Sequence, residues 1–498
     1  MPGNPVSVIV PPPPPPSGLG PGADPGRNRN ADGSLRRGLK NRHIQLIALG
    51  GAIGTGLFLG SGGVIRLAGP AMILGYVIGG LIEFLIMRQL GEMIVEEPVA
   101  GSFSHFASKY WSGFAGFMSG WNYWVLYVLV GMTELTAVAK YIHYWAPDLP
   151  QWIPVLVFFV LINAVNLANV RIFGEAEFWF SIIKVLAVLG MIGFGGWLLL
   201  TGGGGGGGGG EEEAAAAVSN LWTHGGFFAT DARRFAVALV IIMFSFGGLE
   251  LVGVSAAETA EPHRTIPGAI NQVMFRILIF YVGATGVMLM LMPWDVMAER
   301  VAAAGRAGDS YGASPFVLIL GQHGVAGAAH LLNFVILTAA LSVYNSGVYC
   351  NSRMLYGLAL KGNAPRALLK VDRRGVPVPA LAVSALATGL GVLVNYTIPE
   401  KALGYLLALV VAALVLNWAL ISITHLYFRR AKNREAHVSR FPSRGAPWTN
   451  YLCLAFVAFI LVVMVTLADM ATQVLLIPLW LGLLRIGWMF RTKNAANG

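Results

Sequence analysis

Three ionisable side chains stand inside long apolar runs, where a charge at the centre of a bilayer costs on the order of 2.5 to 3.5 kcal/mol by insertion scales. Lys184 lies in Phe178-Trp179-Phe180-Ser181-Ile182-Ile183-Lys184-Val185, about eight residues or roughly 12 Å into its segment at 1.5 Å per residue. A lysine held out of water is a candidate to take up and release a proton; the alternative is a snorkelling stem that carries the ammonium to the interface. Glu250 closes the run Phe244-Ser245-Phe246-Gly247-Gly248-Leu249-Glu250. It could complement a cation, relay a proton, or accept hydrogen bonds from backbone N–H groups freed by the glycines before it. Glu134 follows Tyr123, Tyr127 and Gly131 at helical spacing, so an aromatic surface, a small residue and a carboxylate share one face. That stripe suits a pocket wall or a helix contact, and Glu134 in either case must face protein or water.

The elements that position these groups are two interrupted helices. Gly50-Gly51-Ala52-Ile53-Gly54-Thr55-Gly56 places four glycines in the first apolar segment. Each weakens a helix interior by roughly 1 kcal/mol relative to Ala, which favours unwinding. Unwound backbone is tolerated at membrane depth only where protein, water or ligand satisfies it, so such a break lines a cavity. The half-helix starting near Thr55 presents free N–H groups and a positive dipole end, suited to a carboxylate. Small-residue packing between helices is the alternative reading. The Gly247-Gly248 pair interrupts the sixth segment in the same way. Paired interruptions at corresponding places in two halves point to a midplane binding site.

The surrounding chain is a membrane protein. Its 498 residues are 56% hydrophobic and 12% charged with mean hydropathy +0.65, outside the range of soluble domains. Twelve segments can span, at about 44 to 65, 71 to 95, 114 to 140, 152 to 170, 176 to 200, 235 to 257, 270 to 293, 328 to 350, 380 to 397, 403 to 427, 450 to 468 and 471 to 490. The fold expected is all-α, with about twelve transmembrane helices in one unit over 39–491. A Pro/Gly-rich tail over 1–38 is expected to be disordered, and 492–498 form a second tail. The run 202–217, nine glycines followed by Glu and Ala, reads as a linker in an external loop.

The net charge of +10 is distributed between apolar segments, which argues for membrane orientation and against a nucleic-acid partner. Lys and Arg cluster in the N-terminal tail, at Arg353 to Arg374 and at Arg429 to Arg444, so both termini are expected in the cytoplasm. Cys350 and Cys453 fall in apolar segments and suggest no disulfide framework. There is no Walker loop and the nine histidines lack metal-ligand spacing, so no cofactor or metal is expected. Trp121 and Trp124 near a span start suit an interfacial aromatic belt.

The run LKNRHIQLIAL leading into GGAIGTGLFLGS resembles the opening of amino-acid permeases of the amino acid-polyamine-organocation superfamily. MRQLGEMIVEEPVAGSFSHFASKYW, GWNYWVLYVLV, FGEAEFWFSIIKV, MFSFGGLELVGVSAAE and YNSGVYCNSRMLYGLALKGNAP resemble the same family, and within it the bacterial permeases for aromatic amino acids. The poly-Gly insert and the Pro-rich tail depart from the pattern. The resemblance implies the leucine-transporter fold, with two inverted five-helix repeats, broken helices 1 and 6, and two peripheral helices. It implies proton-coupled import of phenylalanine, tyrosine and tryptophan by alternating access across a bacterial cytoplasmic (inner) membrane. The substrate carboxylate would meet Thr55 and the N–H of Gly56, its amino group the carbonyls of Ala52, Phe244 and Gly247, with Phe244 as an aromatic gate. Gly54, Ser245 and Tyr127 complete the implied substrate set. Lys184 takes the place of a sodium ion, and Glu250 and Glu134 join it in proton coupling. The alternatives are another neutral amino acid as substrate, or a non-transporting sensor or channel of the same fold.

Overall fold

The structure, a computed structural model, describes residues 54–496 apart from 59, 100, 169, 202–217, 256–260, 307–313 and 323–326. The N-terminal tail, Ala52 with the glycines before it, and the poly-Gly insert therefore lie outside the described residues. Everything regular that is described is helix. The first span contributes a single turn, Thr55–Phe58, and then α1, Gly60–Ala68. There follow α2 (Met72–Glu96), α3 (Gly113–His143), α4 (Trp152–Ala168), α5 (Val170–Thr201), α6 (Ala232–Phe246), α7 (Pro262–Leu291), α8 (Ala328–Leu360), α9 (Val378–Thr397), α10 (Pro399–Arg434), α11 (Trp448–Val465) and α12 (Ala468–Ala496).

The apolar stretch Gly60–Glu96 is 37 residues long, about 55 Å if straight, nearly twice a bilayer core of about 30 Å. It is two spans. Gly69 takes φ +55°, a left-handed conformation open to glycine, and Gly69–Ala71 form the 3-10 turn that reverses the chain between α1 and α2. With α4, a 17-residue apolar helix, this makes twelve crossings. Helix starts are set by side chains that accept free backbone N–H groups: Ser112 takes that of Ala115 at 3.1 Å ahead of α3, and Asp231 that of Arg234 at 2.9 Å ahead of α6.

α1 packs on α6, α2 on α7, α3 on α8 and α4 on α9. Each is thus laid against the helix five places on, the arrangement that two interleaved five-helix repeats produce. α8 is buried along most of its length. α5, α9, α11 and α12 are peripheral and turn apolar side chains outward, among them Leu186, Leu386, Val462 and Leu475, a surface suited to lipid and not to water.

The structure departs from the sequence expectations in its connections. Ser102–Trp111 between α2 and α3 is helical, and Trp294–Arg306 and Pro315–Gln322 between α7 and α8 are two further short helices. They are too short or too polar to register as spans. Trp121 and Trp124 do not serve as belt residues alone: their indole N–H groups donate to the Asn363 carbonyl (3.2 Å) and the Ser384 hydroxyl (3.0 Å), pinning α3 to the end of α8 and to α9. Cys350 and Cys453 are free and buried.

Candidate substrate site

α6 ends at Phe246. Gly247 turns extended at φ −60°, ψ 135°, and Gly248 takes φ +117°, a value that L side chains rarely adopt. The chain regains one helical turn at Leu251. Glu250 serves this break directly, because its Oε2 accepts the Gly248 N–H at 3.1 Å. Opposite lies the start of the first span. A Cβ on Gly56 would stand 2.7 Å from both Cα and Oγ of Ser245, so glycine is what lets the first span and the interrupted sixth touch through their backbones. Tyr281 of α7 holds the same point by donating its hydroxyl to the Ser245 carbonyl.

A cavity opens beside this contact. Of the residues singled out in the sequence, Gly54, Gly56, Tyr127, Glu134, Phe244, Ser245, Gly247 and Glu250 line it. It is narrow, with free space for about two waters, and an aromatic side chain enters only if a wall moves. Phe244, half-buried at its edge, is the large side chain with freedom to do so.

The α3 stripe divides. Tyr127 and Glu134 reach the cavity, while Tyr123 stands behind with its ring 4.9 Å from that of Tyr127 and 4.4 Å from Phe103. Gly131 is a packing position: a Cβ there would come within 3.0 Å of Thr388 and 3.1 Å of Tyr344. Thr55 is buried beside the cavity and its hydroxyl donates to Glu134 Oε1 at 3.0 Å.

Lys184 does not line the cavity. It is fully buried on α5 and interacts electrostatically with Glu177, two turns earlier on the same face, and with Glu134. Glu177 accepts hydrogen bonds from Ser342 and, at 3.3 Å, from the Asn345 side chain of α8. Glu134, Lys184 and Glu177 therefore form one buried chain of ionisable groups from the cavity wall to the α5–α8 seam. A lysine with two carboxylates around it is not snorkelling.

Sequence reasoning missed Glu177, although its run was singled out, and Glu83, a fully buried carboxylate on α2. The window containing each could have been searched for further acids. It also missed Val343 and Ser346 of α8 and Val410 and Leu414 of α10, which close the cavity; nothing in their types separates them from core.

Residues 43–497 match the family model described as amino acid permease. The chain belongs to the amino acid permease family. The permease is 61% identical over 461 residues, 93% of its own length and 96% of the relative's, to the aromatic amino acid transport protein AroP of Escherichia coli K12. The protein of the same name from Salmonella typhimurium SL1344 is 59% identical over equal shares. The uncharacterized transporter YdgF of Bacillus subtilis 168 is 41% identical over 464 residues, 93% of this chain and 97% of the relative. The broken sixth span and the cavity beside it are therefore features of an amino acid transporter that crosses the membrane many times.

Proposed function

We infer that this permease imports aromatic amino acids together with protons, by alternating access around the cavity between the two interrupted helices. The observation that carries the reading is the cavity wall itself. Tyr127 and Phe244 supply aromatic faces, Glu134 and Glu250 supply carboxylates, and Gly54, Gly56 and Gly247 bring backbone to the wall without side chains. Ring stacking contributes about 0.5–1.5 kcal/mol beyond area burial, which favours aromatic over aliphatic side chains. The name carried by the AroP relatives points the same way.

The substrate carboxylate meets Thr55 and the backbone N–H of Gly56 at the start of the Thr55 turn. The ammonium takes carbonyls at Ala52, Phe244 and Gly247, and Phe244 closes over the ring. Lys184 is the proton carrier, linked to the site through Glu134 and Thr55. The permease unit occupies 39–491 in a bacterial cytoplasmic membrane with both termini inside, oriented by its basic loops.

The test is uptake of labelled phenylalanine into proteoliposomes under an imposed pH gradient, with each of the twenty amino acids as competitor. Gradient-driven accumulation displaced by tyrosine and tryptophan is expected. Equal displacement by leucine or valine would move the substrate to other neutral amino acids, and binding without accumulation would make the protein a sensor or channel.

A further inference from the structure

Glu83 is the least accounted-for charge in the fold. It is fully buried in α2 and, among the described residues, neither carboxylate oxygen has a hydrogen-bond partner. An ionised carboxylate left in that condition is strongly unfavourable.

Its neighbour follows from the helix register. Gly75, Gly79 and Glu83 recur every fourth residue on one face of α2. A Cβ on Gly75 would lie 2.6 Å from Ile242, and one on Gly79 would lie 2.6 Å from Met243 and 2.9 Å from Phe246. α2 and α6 thus run side by side in the same direction, and the next step brings Glu83 to the unwound stretch ending at Glu250. Further along, a Cβ on Gly253 would meet Ile94 and Leu90 at 3.2 and 3.4 Å, so the register holds past the break. Glu83 and Glu250 accordingly interact as like charges. Glu250 Oε2 holds the Gly248 N–H, whereas its Oε1 has no hydrogen-bond partner.

The other titratable groups facing Glu83 are Tyr281 from α7, Tyr127 from α3 and Cys453 from α11. Tyr76 of α2 itself lies against Tyr281, their rings 5.4 Å apart. None of these is a cation. Two carboxylates sharing a dry site cannot both stay ionised, and one proton between them turns repulsion into a hydrogen bond.

We propose that Glu83 and Glu250 share one proton taken from the substrate cavity, a second proton site on the α2–α6 seam besides that of Lys184. The proton bonds to a Glu83 oxygen, and the new O–H donates to Glu250 Oε1. The pair passes from two negative charges to one, and no other bond forms or breaks. Because Glu250 also lines the cavity, the proton is exposed to water whenever the cavity is. This deepens the proton-coupled reading above and rests on it.

The experiment uses the full chain in proteoliposomes and has two readouts. The infrared carbonyl stretch of a protonated carboxyl, shifted by deuterium, is expected in the wild type, lost in Glu83→Gln, and moved to higher frequency in Glu250→Gln, where buried Glu83 keeps its proton but loses its carboxylate acceptor. The number of protons moved per phenylalanine is expected to fall by one in Glu83→Gln. A band that survives Glu83→Gln, a band that Glu250→Gln leaves unshifted, or an unchanged proton count in folded Glu83→Gln overturns the proposal. So does wild-type uptake that needs sodium only while Glu83 is present, with no band, which would make the pair a cation site. If Glu83→Gln does not fold, the frequency shift in Glu250→Gln carries the infrared test alone. Wild-type uptake without proton movement sinks the symport reading instead, and the band still decides the shared proton.

Discussion

The Thr55 hydroxyl donates to Oε1 of Glu134 across 3.0 Å, joining the first span to the third at the edge of the cavity. The bond commits the one side-chain donor of the Thr55 turn to a carboxylate of the protein. Oε2 of Glu134 has no hydrogen-bond partner among the described residues. In the proposed site an incoming carboxylate is therefore left with backbone N–H groups, at the glycines expected to expose them.

Gly56→Ala is expected to abolish uptake and to destabilise the fold by about 1–3 kcal/mol, the usual range for overpacking. The new methyl would stand 2.7 Å from the Ser245 backbone, which cannot rotate away. Gly54→Ala is expected to be milder, since its nearest neighbour is a Val343 methyl at 3.3 Å. Thermal melting and labelled phenylalanine binding on the two purified variants check this; wild-type behaviour of Gly56→Ala would remove the backbone contact from the argument.

Lys184→Ala is expected to lose accumulation against a gradient while exchange of internal for external substrate persists. Without the ammonium, the proton has no differential interaction with the two facing states. Glu177 and Glu134 lose the cation between them, so some loss of stability accompanies the change. Comparing counterflow with gradient-driven uptake in the same vesicles separates the two effects, and undiminished proton-driven accumulation would exclude the role.

Tyr127→Phe keeps the ring that lines the cavity and removes the hydroxyl, which sits beside that of Tyr123. If the hydroxyl serves substrate, tryptophan and tyrosine uptake weaken by up to about tenfold, one hydrogen bond's worth, while phenylalanine uptake changes little. If it serves only Tyr123, all three change alike. The tryptophan-to-phenylalanine uptake ratio reads the difference.

Stability is expected to fall with acidification through a cluster outside the spans. Glu97 accepts from Lys109 (2.7 Å), His105 (3.0 Å) and Tyr110, and Lys361 donates to His105 at 2.8 Å. Against the desolvation of partial burial, the bonds from Lys109, Tyr110 and His105 hold the Glu97 carboxyl at about 2 instead of 4.5. Burial, helped by the charges of Lys361 and Lys109, lowers His105 from 6.5, with Glu97 acting the other way. Both groups bind protons more readily unfolded than folded, so their stabilisation is complete above 6.5. The histidine part is lost as pH falls below that value, the carboxylate part between about 4.5 and about 2. Melting temperature against pH should show both steps, and Glu97→Gln should erase the lower one.

The sixth-span break was legible because a glycine pair inside an apolar run leaves few other readings, and the spans because length and hydropathy alone define them. Lys184, Glu134 and Glu250 stood out as isolated charges. Glu83 and Glu177 are equally buried, yet Glu83, midway along the second span, has no helix break beside it to draw notice and Glu177 sits beside Glu175 at what reads as a span edge. Their significance lies in what faces them from other helices, which no one-dimensional pattern records. The same holds for Val343, Val410 and Leu414, cavity walls by position and ordinary core by type.

Where Gly56 meets Ser245, the backbones of the first and sixth spans are in contact, and Tyr281 holds the Ser245 side. α1 and α6 are packed on each other beyond that point as well, so the contact is one end of a clasp that runs along two helices. Any movement that separates them must undo the clasp, and a methyl group on Gly56 would already have forced it apart.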